Sequence, residues 1–147
     1  MKTFAEKAYQ RTSLESSKTQ EKIEMMLADL NINNVRFTKL GLNYTVEFLA
    51  YPDQANNARK VQIKIPIEDT EKKGKMRNKD QIYRVLYHNL KNRFVSVVNG
   101  LKEFDEEFLS DLVIMHQGRE MRIGDVIAPE YRRLVEGSKV PVMHIIS

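Results

Sequence analysis

The sequence lacks the features on which many enzymes and membrane proteins depend. It contains no cysteine, which excludes disulfides, thiolate catalysis and every cysteine-based metal site. No stretch of about 18 apolar residues occurs, and the N-terminus lacks the apolar segment of a signal peptide. We therefore expect a cytoplasmic protein without membrane contact.

Catalytic motifs are missing as well. The three histidines, His88, His116 and His144, are scattered and form no HxxxH or HExxH spacing. Neither a glycine-rich nucleotide loop nor the GxSxG nucleophile sequence occurs. These absences favour a non-enzymatic protein over an enzyme without a known motif, and they predict no cofactor and no metal.

The composition is that of an ordinary globular domain. The 147 residues are 41% hydrophobic and 30% charged, with a formal net charge of +4 and a pI of about 9.2. A chain of this size predicts a single domain over residues 1–147. The mild basicity permits binding to nucleic acid without requiring it.

The N-terminal part predicts an amphipathic helix. Ser17 and Gln20 have the spacing of a capping box, which leaves residues 1–16 as a mobile arm. One apolar stripe follows at i, i+3, i+4 and i+7, formed by Ile23, Met26, Leu27 and Leu30. Asparagines at 31, 33 and 34 end the helix.

The pattern then changes to a period of two. Three segments, 35–38, 44–50 and 60–65, alternate apolar and polar side chains and predict an antiparallel meander with one buried and one wet face. Residues 68–79 are charged, contain Gly74 and show no period, which indicates a loop.

The remaining elements are mainly helical. A long helix is expected from Asp80, with Gly100 as its left-handed cap, followed by a short helix around Phe104 and Phe108. A hairpin with a longer loop at 116–120 precedes a last helix capped by Asp125, and the apolar tail from Val140 is expected to pack back on the body. The predicted fold class is α+β: a three-stranded antiparallel β-meander packed against helices, with a C-terminal small hairpin and helix. The two longest helices would cover one face of the sheet.

A charge reversal in the middle of the chain is its most informative feature. Basic residues dominate between Lys72 and Arg93, where Asp80 is the single acidic residue, and acidic residues dominate from Glu103 to Asp111. A basic loop and helix with neighbouring tyrosines predict contacts to phosphates and stacking of unpaired bases. The predicted nucleic-acid-binding residues are Lys72, Lys73, Lys75, Arg77, Lys79, Tyr83, Arg84, Tyr87, His88 and Lys91. The alternative is a solvated helix face with the tyrosines at the edge of the core.

Two further charged patches, one on the sheet and one in the acidic run, have both a functional and a structural interpretation. Arg36, Lys60 and Lys64 would share the polar sheet face as a secondary basic surface, or that face is simply covered by a helix. The acidic run would hold a metal, bind a basic protein surface, or form a solvated face. Its residues are Glu103, Asp105, Glu106, Glu107 and Asp111.

The chain resembles a family of small uncharacterised proteins encoded by bacteriophages and prophages. The resemblance extends from Ser17 onward, and its most specific piece is FDEEFLSDLVI, which is similar to the family's F-x-x-E-F-L element. The helix YRVLYHNLKNRFVSVVNGL resembles the family's arginine-rich helix. The absence of tryptophan is a departure, because the family usually has one near the start of that helix. The resemblance implies the element order and a viral origin, and it implies no catalytic residue.

These observations lead to one functional prediction and one alternative. We expect a phage-type accessory protein in the cytoplasm of the host cell that binds nucleic acid non-specifically, in single-stranded form, through the basic loop and helix. The alternative is a small phage-encoded inhibitor or adaptor that binds a host or viral protein through its charged patches.

Overall fold

A computed structural model describes residues 4–41, 43–52, 57–66 and 79–143. Within them the helices are α1 (Phe4–Asp29), α2 (Lys79–Val98), α3 (Phe104–Glu107) and α4 (Ile123–Gly137). The strands are β1 (Val35–Leu40), β2 (Asn43–Ala50), β3 (Arg59–Pro66), β4 (Val113–His116) and β5 (Arg119–Arg122). A short 3₁₀ turn, Leu109–Asp111, separates α3 from β4. The predicted α+β class is confirmed.

The three-stranded sheet has the predicted meander topology. β2 lies between β1 and β3 and is antiparallel to both. The register sets Val35 opposite Phe48 and Phe48 opposite Val61. Because side chains alternate along a strand, this register gathers the apolar side chains of all three strands on one face.

Helices α1 and α2 cover that apolar face. Ile23 and Leu27 of α1 and Leu86 and Leu90 of α2 are fully buried in one core with the sheet. Burial of each such side chain stabilises the fold by about 1.5–3 kcal/mol. The helical period in the sequence therefore predicted these four buried positions correctly, whereas Val98 and Leu101, at the end of the predicted stripe of the long helix, are exposed.

The start of α1 differs from the prediction. The helix begins at Phe4, so Ser17 lies in its interior and does not cap it. Eight of the residues between Phe4 and Ser16 are alanine, glutamate, lysine, glutamine, arginine or leucine, which are good helix formers and carry the helix through the Ser17 position. The end of α1 was predicted correctly: Asn31 has a φ of 63°, and the Ile32 N–H donates to the Leu27 carbonyl oxygen at 2.8 Å.

The end of α2 confirms the role of Gly100. This glycine has a φ of 72°, and the next N–H, of Leu101, donates to the Ser96 carbonyl oxygen at 2.9 Å. A side chain at Gly100 would strain that left-handed conformation. The chain then turns into α3, where Phe104 and Phe108 join Phe48 and Phe94 with ring centroids 4.7 to 6.4 Å apart.

The hairpin is tighter than the sequence predicted. Gln117 and Gly118 both have positive φ, which forms a two-residue turn and lets His116 pair with Arg119. α4 follows at once, with Asp125 inside its first turn and no side-chain cap. Gly124 lies so close to the 3₁₀ turn that a Cβ there would be 2.8 Å from the Ser110 carbonyl oxygen.

The described part of the apolar tail, residues 140–143, does not pack back on the body. Val140 is 90% exposed and Met143 is 89% exposed, so the prediction is wrong for these residues, while His144, Ile145 and Ile146 lie outside the described residues. The chain leaves α4 in an extended conformation at Ser138. The apolar residues that follow make no buried contact within the part of the chain that the structure describes.

One buried carboxylate joins the C-terminal elements to the rest of the molecule. Asp111 is 8% exposed. Its Oδ2 accepts a hydrogen bond from Arg93 of α2 at 2.7 Å, and its Oδ1 accepts one from Arg122 of β5. The Arg122 Nε also donates to the Gln62 carbonyl oxygen on the outer edge of β3, at 2.9 Å. We call Arg93, Asp111 and Arg122 the Asp111 cluster.

The acidic run is therefore not the solvated helix face that was predicted. α3 ends at Glu107, so Glu103, Glu107 and Asp111 do not share one continuous helix. Glu107 lies 3.5 Å from Arg93, whose guanidinium also lies over the Phe108 ring at 4.2 Å from its centroid. The interpretation as metal-binding carboxylates loses its basis, because Glu107 and Asp111 already face arginines.

We expect Asp111→Asn to lower the free energy of unfolding by about 3 kcal/mol, since the largely buried guanidiniums of Arg93 and Arg122 lose the carboxylate that they share and keep only the longer ion pairs with Glu107 and Asp125. Urea denaturation measures this loss. The matched control is Glu106→Gln, because Glu106 is exposed, and its effect should stay within about 0.5 kcal/mol. Equal stability of the two variants would contradict the role assigned to the Asp111 cluster.

Candidate functional site

Much of the predicted basic loop lies outside the described residues. This applies to Lys72, Lys73, Lys75 and Arg77, and the side chain of Lys79 at the start of α2 is likewise outside them. The structure therefore bears on the second half of the predicted site, which α2 carries. There it leaves Arg84, His88 and Lys91 exposed.

Tyr83 cannot be the stacking platform that the sequence predicted. It is 2% exposed, and its ring meets the edges of Phe37 and Tyr44 at centroid distances of 5.6 and 5.8 Å. Burial raises its pKa above the ordinary value of 10.0, although a hydrogen bond with Gln20 opposes that rise. Tyr83 belongs to the core because α2 buries two adjacent stripes against the sheet. Tyr87 is half-buried, with its ring centroid 5.4 Å from that of His88.

The exposed part of α2 forms one wall of a cleft whose other wall is α1. The cleft has a volume of about 380 Å³, and we call it the helix-pair cleft. Its lining includes three cationic side chains and a single carboxylate, that of Asp80. The lining residues are Lys18, Thr19, Lys22, Asp80, Arg84, Tyr87 and His88.

Sequence reasoning missed the contribution of α1 to this cleft. Lys18 and Lys22 are four residues apart, beside the buried Thr19 and Ile23, so they lie on the same flank of the helix. The sequence alone shows that spacing. It does not show that this flank of α1 faces α2, because the contact joins residues about 60 positions apart along the chain.

The lysines at this surface differ electrostatically from most other cations whose side chains the structure describes. Among the described residues, Lys18, Lys22 and Lys91 form no ion pair and no side-chain hydrogen bond. Arg84 is paired with Asp80, at 2.9 Å from its Oδ2. Lys91 lies one turn beyond His88 on the same exposed side of α2. This surface consequently keeps positive charge that is not neutralised within the described part of the fold.

The secondary basic surface on the sheet is, in contrast, internally neutralised. Arg36 donates to both carboxylate oxygens of Glu47 at 2.9 Å. Lys60 lies 2.9 Å from Glu120, and Lys64 lies 3.4 Å from Asp125. The hairpin and the start of α4 thus bring carboxylates to these cations. The predicted phosphate-binding sheet face is not supported by this arrangement.

The centre of that face is also less wet than predicted. On β2, Thr45 is 2% exposed and Glu47 is 7% exposed. Burial acts to raise the pKa of Glu47, but hydrogen bonds from Arg36 and Gln62 and the charges of Arg36 and Lys60 outweigh it. The pKa of Glu47 therefore lies below its ordinary value of 4.5.

The described residues contain no group of three or more histidines and carboxylates that could hold a metal ion. Within the same ranges no helix is long and apolar enough to cross a bilayer. What the helix-pair cleft provides is positive charge, the rings of Tyr87 and His88, and one carboxylate.

No family model, no curated protein and no solved structure matches this chain. The resemblance to phage and prophage proteins accordingly stays a prediction.

The lowered pKa of Glu47 predicts a specific pH dependence. As the pH falls, the unfolded chain takes up the proton first, so the stabilisation by Glu47 is present at neutral pH and lost below about 4.5. We expect Glu47→Gln to destabilise the protein by about 1–3 kcal/mol at neutral pH, with the difference shrinking towards acid. Urea denaturation at several pH values tests this, with the exposed Glu136→Gln as control. A difference from wild type that does not change with pH would contradict it.

Proposed function

We propose that this chain is a phage-type accessory protein that binds single-stranded nucleic acid through the helix-pair cleft. The observation that carries the proposal is the set of unpaired lysines, Lys18, Lys22 and Lys91, on adjoining flanks of two packed helices. Phosphates would replace the counter-charges that these lysines lack within the described residues, and the release of condensed counterions would drive the association.

The shape of the surface favours single strands over duplexes. A cleft of about 380 Å³ between two helices admits an unpaired nucleotide, whereas a duplex is read by an element that projects into its groove. Tyr87 and His88 supply aromatic rings beside the lysines. Stacking on such rings tolerates any base, because every base has a π-face.

The basic segment before α2 would extend this surface. The residues at 72, 73, 75, 77 and 79 are all lysine or arginine. In the sequence they come directly before the part of α2 that lines the cleft. Their contribution is carried by the sequence alone. A long-range attraction of the strand to these charges would raise the association rate, with the cleft then holding individual nucleotides.

We expect the triple variant Lys18→Gln, Lys22→Gln, Lys91→Gln to bind labelled single-stranded oligonucleotides more weakly and with less salt dependence. Loss of three phosphate contacts reduces the slope of log K against log salt by about 2. Fluorescence anisotropy at several salt concentrations measures both quantities.

The matched control removes the same number of positive charges elsewhere. Arg119, Arg132 and Lys139 are exposed and lie on β5, on α4 and after it, so their replacement by glutamine should change the slope little. A further variant with glutamine at 72, 73, 75, 77 and 79 reports on the basic segment. If the wild type fails to bind at low salt, or if the triple variant and its control weaken binding equally, the proposal is wrong.

A second candidate function rests on α4. This helix has no buried residue, and several of its large apolar side chains are exposed: Ile127, Tyr131, Leu134 and Val135. Exposed apolar patches of this kind mark interaction surfaces, and an amphipathic helix fits an apolar groove of a partner protein. An inhibitor or adaptor that binds a host or viral protein would use this face.

We expect Tyr131→Ser together with Leu134→Ser to leave the free energy of unfolding within about 0.5 kcal/mol, because both side chains are already exposed. The same change should abolish capture of partner proteins from host lysate if α4 is an interface. Glu130→Ser with Arg133→Ser, on the polar side of α4, is the control. If the variant with serine at 131 and 134 captures partner proteins as well as the wild type does, α4 is not the binding face.

A further inference from the structure

Asp80 is a group in the helix-pair cleft that phosphate binding does not explain. It is 4% exposed, and its Oδ2 is held by Arg84 at 2.9 Å. Its Oδ1 is buried and has no hydrogen-bond partner among the described residues. A buried acceptor without a donor destabilises the fold, and a negative charge between cations opposes the binding of phosphate. A ligand that donates a hydrogen bond to Oδ1 would remove the destabilisation caused by the unpaired acceptor.

The neighbours of Asp80 indicate what else that ligand carries. Lys18 and Lys22 line the same cleft from α1 and suit an anionic group, while Tyr87 offers a ring beside them. A ligand with a hydrogen-bond donor, a flat ring and a phosphate combines these three requirements. A nucleotide with an unpaired base has all of them, and the cleft volume lies within the usual range for small-molecule sites.

We infer that the helix-pair cleft is a subsite for one unpaired nucleobase bearing an exocyclic amine, which donates to Oδ1 of Asp80; this inference rests on the function proposed above. An ionised carboxylate only accepts hydrogen bonds. Cytosine presents an amine at the position where thymine presents the O4 acceptor. Thymine would therefore place its O4 acceptor against Oδ1, which is also an acceptor. Cytosine would instead donate a hydrogen bond to Oδ1.

Arg84 makes the effect of a conservative substitution predictable. A guanidinium only donates, so the side chain of Asp80→Asn must turn its oxygen towards Arg84. The amide nitrogen then takes the position of Oδ1 and offers a donor where the wild type offers an acceptor. The base preference should consequently disappear or reverse towards thymine, although the variant has the size and shape of the wild type.

The test compares labelled oligodeoxycytidine with oligothymidine of equal length at neutral pH, by fluorescence anisotropy. We expect the wild type to bind the cytosine strand about tenfold more tightly, the effect of one hydrogen bond to a charged group. We expect the ratio to fall to one or below for Asp80→Asn. Oligonucleotides that contain N4,N4-dimethylcytosine lack the N–H donor, so they should bind no more tightly than oligothymidine. This comparison uses the wild-type protein alone.

A control separates hydrogen bonding from charge. Glu21→Gln removes one exposed carboxylate of α1, so it should strengthen binding of both strands equally and leave the ratio unchanged. Asp80→Asn removes the same charge but changes the ratio. A purely electrostatic role for Asp80 predicts that the two variants behave alike, and that outcome would overturn the inference.

The remaining outcomes distinguish this inference from the proposed function. Equal wild-type affinity for the two strands, with salt-dependent binding of both, overturns the base subsite and leaves the phosphate-binding function standing. Failure of the wild type to bind either strand overturns both. A cytosine preference that survives Asp80→Asn or the dimethylated base overturns the assignment to Asp80.

Discussion

The ion pairs of Asp111 are the constraint on which the C-terminal half of the fold depends. Arg93 reaches Asp111 from α2, Arg122 reaches it from β5, and Arg122 also binds the edge of β3 through the Gln62 carbonyl oxygen. Three segments, α2, the 3₁₀ turn and β5, thus meet at one carboxylate, and Arg122 joins them to β3. The same contact covers the outer edge of β3, which would otherwise present unpaired backbone groups to solvent or to another chain. The bridge between Val61 and Leu112 adds a backbone contact on that edge.

Internal pairing of this kind changes what the charge pattern of the sequence means. Arg93 belongs to the basic run and Asp111 to the acidic run, yet in space they neutralise each other. Carboxylates from the hairpin and α4 do the same for the cations of the sheet face. A charge committed to a partner inside the fold contributes little to attraction at a distance. Lys18 and Lys22 of the helix-pair cleft differ from these paired cations, because no described residue neutralises them, and the sequence pattern did not single them out.

The sequence predicted most of the fold but less of the candidate site, for a physical reason. The period-two alternation fixes which side of each strand is apolar, and Asn31 and Gly100 occupy positions where a left-handed residue ends a helix. These are local properties. The burial of Tyr83, the pairing of Arg93 with Asp111 and the approach of Lys18 to α2 depend on contacts between distant segments. Local pattern also misjudged Ser17, because a capping residue loses its meaning when good helix formers precede it.

The placement of Asp80 shows how affinity and selectivity oppose each other in such a site. Phosphate contacts supply most of the affinity for a nucleic acid but carry no information about its bases. A carboxylate among cations weakens attraction to every polyanion alike, so it improves function only if it distinguishes one ligand from another. Its burial and its fixed partner Arg84 give Oδ1 a defined direction, which a mobile surface carboxylate would lack. Discrimination by a hydrogen bond is strongest where the wrong ligand leaves a buried polar group unpaired, and the helix-pair cleft meets that condition at Asp80.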